Sequence, residues 1–166
     1  MLRFVDFKVT FSEVPDEISL CINLSGCPHK CKGCHSPYLQ EDVGEILTKE
    51  KLMELIKAQE GITCVCFMGG DNDIPSLGTL AQYVRNRFQL HTAWYTGLQF
   101  RPKDIERPIT LVFDYIKTGP YIEEMGPITS KKTNQRMYAK GRVLHKMDVS
   151  NEKFYDITGK FWKDES

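Results

Sequence analysis

Across residues 18–24 apolar and polar side chains alternate (Ile18-Ser19-Leu20-Cys21-Ile22-Asn23-Leu24), a period of two that predicts a strand with one face on a core. That strand runs directly into a cysteine-rich loop. Beyond the loop, Thr48 is placed to cap a helix in which Leu52, Leu55, Ile56 and Gln59 recur at helical spacing, and Gly61 closes the segment. Residues 62–68 form a short apolar run ending at Gly69-Gly70-Asp71, which reads as a buried strand. From Pro75 a second helix sets Leu77, Leu80, Ala81, Val84 and Phe88 on one face, with Arg85 and Arg87 near its C-terminal end.

Residues 91–96 read as a third strand, stopped by Gly97. Pro102 and Pro108 punctuate a polar connection with room for one helical turn, and the apolar residues 109–116 read as a fourth strand with Asp114 near its end. Strands alternating with helices predict an α/β fold: a mostly parallel sheet with helical crossovers, either open or curled into a partial, incomplete TIM-like barrel. Residues 135–138 and 141–146 suggest a β-hairpin, while residues 154–162 carry aromatics without a period. In sheets of this kind ligands bind beyond the carboxyl ends of the strands. The loops expected there are 26–37, 69–73, the turn at Gly97 and the stretch after Asp114.

The 166 residues suit one domain, residues 1–166, and 41% hydrophobic with 27% charged residues is an ordinary globular composition. Twenty-two basic residues balance 22 acidic ones, so no net field draws the chain to nucleic acid or to an anionic membrane. No apolar run reaches the roughly 18–20 residues that span a bilayer, and charge near the N-terminus does not suit a signal peptide. The expectation is a cytoplasmic protein with no nucleic-acid or membrane partner.

Six cysteines stand at 21, 27, 31, 34, 64 and 66. In a reducing compartment clustered thiols bind metal or do redox work. The strongest signal is Cys27-Pro28-His29-Lys30-Cys31-Lys32-Gly33-Cys34, a C-x3-C-x2-C loop. Three close thiolates without a second pair suit an iron–sulfur cluster with one iron left open. Structural zinc completed by His29, His35 or another cysteine, and unliganded redox thiols, remain alternatives on spacing alone. Cys21, Cys64 and Cys66 lie within apolar strands and read as buried small hydrophobes. His29 and His35 flank the ligands, either hydrogen-bonding near the sulfurs or facing solvent. Asp71 either meets a bound ammonium or caps the next segment, and Asp114 either contacts a ligand or pairs with a cation such as Lys117.

The three-cysteine loop after a first strand, followed by a Gly-Gly-acidic turn after the second, resembles the radical S-adenosylmethionine superfamily. Gly33, Asp71 and the short length are similar to its branch of small activating enzymes of the anaerobic (class III) ribonucleotide reductases. Trp94-Tyr95-Thr96-Gly97, residues 114–121 and Thr133-Asn134-Gln135-Arg136 also resemble matching segments of that branch, whereas Asn72 and Thr118 depart from it. The resemblance implies a 4Fe-4S cluster on Cys27, Cys31 and Cys34, its fourth iron chelated by S-adenosylmethionine. It further implies cofactor contacts from Gly69, Gly70, Asp71, Thr96 and Asp114, and no catalytic residue beyond the cluster ligands. The activity implied is reductive cleavage to a 5′-deoxyadenosyl radical that generates a glycyl radical. The implied partners are the glycyl-radical subunit of an anaerobic ribonucleoside-triphosphate reductase and a flavodoxin or ferredoxin-type electron donor. An activase of another glycyl-radical enzyme, such as pyruvate formate-lyase, and a non-catalytic zinc-binding module are the alternatives.

Overall fold

A computed structural model describes residues 1–105, 107–144 and 151–162. Its framework is one open sheet of eight strands: β1 (Arg3–Thr10), β2 (Ser19–Leu24), β3 (Glu45–Ile46), β4 (Cys64–Met68), β5 (His91–Tyr95), β6 (Tyr115–Thr118), β7 (Arg136–Lys140) and β8 (Phe154–Asp156). They are ordered β3-β1-β2-β4-β5-β6-β7-β8. The central strands β2, β4, β5 and β6 are parallel. Both flanks are antiparallel, through β1–β2 and β1–β3 on one side and β6–β7 and β7–β8 on the other.

The expectation of a mostly parallel, partial TIM-like barrel is therefore corrected to a mixed sheet in which antiparallel pairs outnumber parallel ones, with β3 and β8 as its two edges. The physical reason lies in the connections. Crossovers that carry helices return the chain in the same direction between the four central strands, whereas β1 turns back into β2 and β6 into β7, and a chain that turns back pairs antiparallel. The alternation Val5-Asp6-Phe7-Lys8-Val9-Thr10 marks β1, a strand that the sequence reading does not include.

Helix α1 (Lys49–Lys57) starts where expected, the Thr48 hydroxyl accepting from the Lys51 amide at 3.0 Å. Helix α2 (Ile74–Phe88) is capped by Asp73, has Pro75 in its first turn, and ends with Gln89 in the left-handed region. Residues 109–116 do not form one strand. Helix α3 (Arg107–Leu111) takes their first part and β6 begins only at Tyr115. A short apolar run is compatible with either state, and Pro108 suits a first helical turn. The expected hairpin is also replaced: β7 lies between β6 and β8, and Gly141–Leu144 form helix α4, with 145 and 146 outside the described residues.

The period of two along the strands sorts the core onto both faces of the sheet. Leu20, Ile22, Leu24, Val65, Phe67 and Trp94 join Leu52, Leu55, Leu77, Leu80 and Val84 of the helices. Cys21, Cys64, Cys66, Ala93, Tyr95 and Met137 occupy the other face. Trp94 stacks on Phe113 with ring centroids 5.5 Å apart, a contact of about 0.5–1.5 kcal/mol beyond the area it buries. Among the described residues, no helix is long and apolar enough to cross a membrane.

Candidate metal centre

Because β2, β4, β5 and β6 run the same way, their carboxyl ends at Leu24, Met68, Tyr95 and Thr118 share one rim of the sheet. The cysteine loop leaves from the first, the Gly69-Gly70-Asp71 turn from the second, Thr96 and Gly97 from the third, and Gly119 from the fourth. The loop is anchored at its start, with the Gly26 amide donating to Glu41 O and the Cys27 amide to Leu39 O, both at 2.9 Å. Further on it folds on itself. The Cys34 amide donates to Cys31 O at 3.3 Å, and the Ser36 amide to the Cys34 sulfur at 3.4 Å. Gly33 stands at φ +76°, a conformation that disfavours any side chain, and a Cβ there would meet Glu123 and Tyr121. Tyr121 in turn packs against His35.

Cys27, Cys31 and Cys34 are half-buried and free. Burial pushes the Cys27 thiol up, and the charges of Asp71, Cys31 and Cys34 push it further, against a backbone hydrogen bond from His29. Among the described residues no three His, Cys, Asp or Glu side chains already converge as a metal cage. The donor set nonetheless fits a cluster: three thiols on one anchored loop, near enough to act on one another electrostatically and still open to a ligand. Binding metal requires their deprotonation, and a cation on the thiolates offsets what burial adds to that cost at Cys27.

One contact fastens this loop to the Gly-Gly turn: His29 Nε2 lies 2.6 Å from Asp71 Oδ2. The Asn72 side chain lies so close to Gly26 that a Cβ there would stand 2.7 Å from its nitrogen. Asp71 Oδ2 also accepts the Gly97 amide at 2.9 Å, so one carboxylate oxygen joins three loops. Its other oxygen, Oδ1, is buried with no hydrogen-bond partner among the described residues, on a side chain only 4% exposed. An orphaned carboxylate oxygen carries a desolvation cost that a cationic or N–H donor would relieve.

Gly69 is engaged within the fold, its amide donating to Tyr95 O at 2.9 Å and its carbonyl accepting Trp94 Nε1 at 3.1 Å. Gly70, at φ +95°, carries the chain between Leu24 and Leu77 without room for a Cβ. Thr96 is buried on the same rim, its hydroxyl accepting from the Leu98 amide at 3.1 Å.

The Cys27-Pro28-His29-Lys30-Cys31-Lys32-Gly33-Cys34 loop and the turn it meets fall inside residues 18–138, which match the family model of the 4Fe-4S single cluster domain. The chain belongs to that family. No curated protein and no solved structure matches it. As a 4Fe-4S single cluster domain, the protein is an iron–sulfur protein, and redox chemistry is compatible with its site.

Asp114 stands apart from this rim. It precedes β6, at the amino end of the parallel strands, where its buried carboxylate accepts the Thr92 amide at 2.9 Å and pairs with Arg142. The ion-pair alternative for Asp114 is thus realised with Arg142 in place of Lys117. Cys21, Cys64 and Cys66 are fully buried, and burial raises the thiols of the latter two. His29 was the residue undervalued in the sequence. Its spacing within the loop was visible, but its pairing with a residue 42 positions away was not.

Proposed function

We propose that this 4Fe-4S single cluster domain is a radical S-adenosylmethionine enzyme that installs a glycyl radical on a partner protein. Support comes from one observation above all: a three-thiol loop lies against a carboxylate whose second oxygen is buried and unpartnered. In this reading Cys27, Cys31 and Cys34 hold three irons, and the amino and carboxylate groups of S-adenosylmethionine take the fourth. When bound, the cluster supplies the electron that cleaves the sulfonium and yields a 5′-deoxyadenosyl radical.

The chain's own residues bind and orient. Asp71 Oδ1 accepts a hydrogen bond from an N–H of the methionine amino group, while His29 and the Gly97 amide hold Oδ2 and fix the carboxylate's orientation. Gly70 threads the turn between Leu24 and Leu77 and so delivers Asp71 to the cysteine loop, and Thr96 and Gly97 line the adjoining strand end. Trp94, donating to the Gly69 carbonyl from the core, holds the Gly-Gly turn in place. Asp114, committed to Arg142 and Thr92 at the other end of the sheet, has no part in it.

The substrate in this reading is a glycine of a large protein, an anaerobic ribonucleoside-triphosphate reductase, with a flavodoxin or ferredoxin as electron donor. Gly33 and Asp71 favour that branch over the pyruvate formate-lyase activases. The test is anaerobic reconstitution with iron and sulfide, followed by quantification of 5′-deoxyadenosine with and without dithionite. Reductant-dependent product, and a glycyl radical when the reductase is added, are expected. An intact cluster that yields neither with the reductase present contradicts the proposal, and stoichiometric zinc without iron contradicts any cluster role.

A further inference from the structure

Most of β1 is an uncovered edge. β3 pairs with it only at Arg3 and Phe4, whereas β2 accompanies it as far as Thr10. Among the described residues no strand occupies its second side beyond that point, and the five residues from Val5 to Val9 are all exposed. Val5, Phe7 and Val9 leave 36%, 43% and 42% of their surfaces in solvent, although β2 partners of this strand belong to the core. A long apolar edge invites pairing with another strand, and proteins ordinarily blunt such edges with charge.

Here the charges are arranged for pairing. Val5-Asp6-Phe7-Lys8-Val9 is symmetric about Phe7 in chemical type, with an acid on one side and a base on the other. Two copies laid antiparallel with Phe7 opposite Phe7 set each Asp6 across from a Lys8 and each Val5 across from a Val9. The period of two puts Phe7 and Val9 on the face of their β2 neighbours Ile22 and Leu20, and Asp6 and Lys8 on the face of Asn23 and Cys21. The register is self-correcting: a slip of one residue sets Phe7 against Lys8, and a slip of two sets Lys8 against Lys8 or Asp6 against Asp6.

Both charges are available for this. Asp6 receives neutral donors, Asn23 Nδ2 at 2.5 Å and Tyr38 OH at 3.3 Å, and no cation among the described residues. Lys8 reaches Glu13 only at 4.0 Å and is 63% exposed. The ladder irregularity between Phe4 and Asp6, together with β3, ends the free edge at Val5 and so frames these five residues. We infer that this edge is the interface of a homodimer in which two copies of the chain join their sheets through β1, centred on Phe7.

Sedimentation or light scattering of the cluster-loaded protein, from micromolar to submillimolar concentration, tests it. The mass of two chains is expected. Asp6→Lys and Lys8→Asp each set like charges opposite one another at both ends of the interface and weaken dimerisation about tenfold or more. Combined, they exchange the charges, and the dimer returns. Should Asp6→Lys lose its fold with the Asn23 and Tyr38 contacts, Phe7→Lys places two like charges at the centre and gives the mass of one chain with a parent-like circular-dichroism spectrum. A parent that sediments as one chain throughout, or a folded Phe7→Lys or Lys8→Asp variant that remains as dimeric as the parent, overturns the inference and leaves the edge to a different protein. So does a folded double variant that dimerises no better than the singles.

Discussion

His29 Nε2 and Asp71 Oδ2 lie 2.6 Å apart, joining a loop that follows the first parallel strand to a turn that follows the second. This contact, with the Gly97 amide on the same oxygen, leaves Asp71 Oδ1 as the one unsatisfied oxygen of the carboxylate. Asp71→Asn keeps the shape and removes the charge. It is expected to leave iron content unchanged and to weaken S-adenosylmethionine binding about 10–100-fold, the range for a charged hydrogen bond of about 1.5–3 kcal/mol. Titration of the cofactor into the reduced protein checks this, and unchanged affinity would remove Asp71 from the site.

Gly97 lies against the cysteine loop just past the end of β5, and an added Cβ would come within 2.6 Å of the His29 ring. Gly97→Ala should therefore displace the imidazole from Asp71 and behave like His29→Ala: a folded, iron-loaded protein whose cofactor affinity falls about tenfold. A Gly97→Ala protein that binds as tightly as the parent, beside an impaired His29→Ala, would show that the ring can move without releasing the carboxylate.

The two groups of cysteines should respond oppositely to substitution. Alanine at Cys27, Cys31 or Cys34 is expected to abolish the 4Fe-4S cluster, read as iron and acid-labile sulfide after anaerobic reconstitution. Cys21→Ala, within the core, should retain both at a cost of about 1 kcal/mol in stability. Full iron content in Cys31→Ala would refute the ligand assignment.

At the opposite end of the sheet His91 Nδ1 lies 2.7 Å from Glu17 Oε2, which also accepts the Tyr115 hydroxyl at 2.6 Å. Burial alone would raise Glu17, but hydrogen bonds from His91, Tyr115 and Thr63 outweigh it and hold the carboxyl below its ordinary value of 4.5. The bond to Glu17 raises His91 above 6.5 despite its burial. Glu17's contribution is fully present above 4.5 and fades as pH falls through its lowered value; that of His91 is fully present below 6.5 and fades as pH rises through its raised one. Cluster-loaded wild type should exceed His91→Gln in stability by about 0.5–1 kcal/mol between these values, and by less at alkaline pH. Denaturant melts at both pH values check the sign, and an equal difference at each would contradict the pairing.

What the sequence revealed was what is local. The strand at β2, the Thr48 cap, the helix after Pro75 and the cysteine spacing each rest on neighbours a few residues apart, and each has its counterpart in the structure. Residues 109–116 divide between α3 and the start of β6 because a short apolar run carries no mark separating helix from strand. The antiparallel course of β7 and β8 is set by tertiary pairing. At the site, three cysteines on one loop were legible, whereas the meeting of His29, Asp71 and Gly97 depends on the parallel order of three strands. Asp114 illustrates the same limit: moving the start of β6 to Tyr115 carried it to the far end of the sheet.

The most direct test is electron paramagnetic resonance of the reduced cluster before and after addition of S-adenosylmethionine. A cluster held by Cys27, Cys31 and Cys34 with its fourth iron open should change its signal as the cofactor binds, and Asp71→Asn should shift that change to higher cofactor concentration. A fully loaded cluster whose signal is unaltered by saturating S-adenosylmethionine would contradict the account.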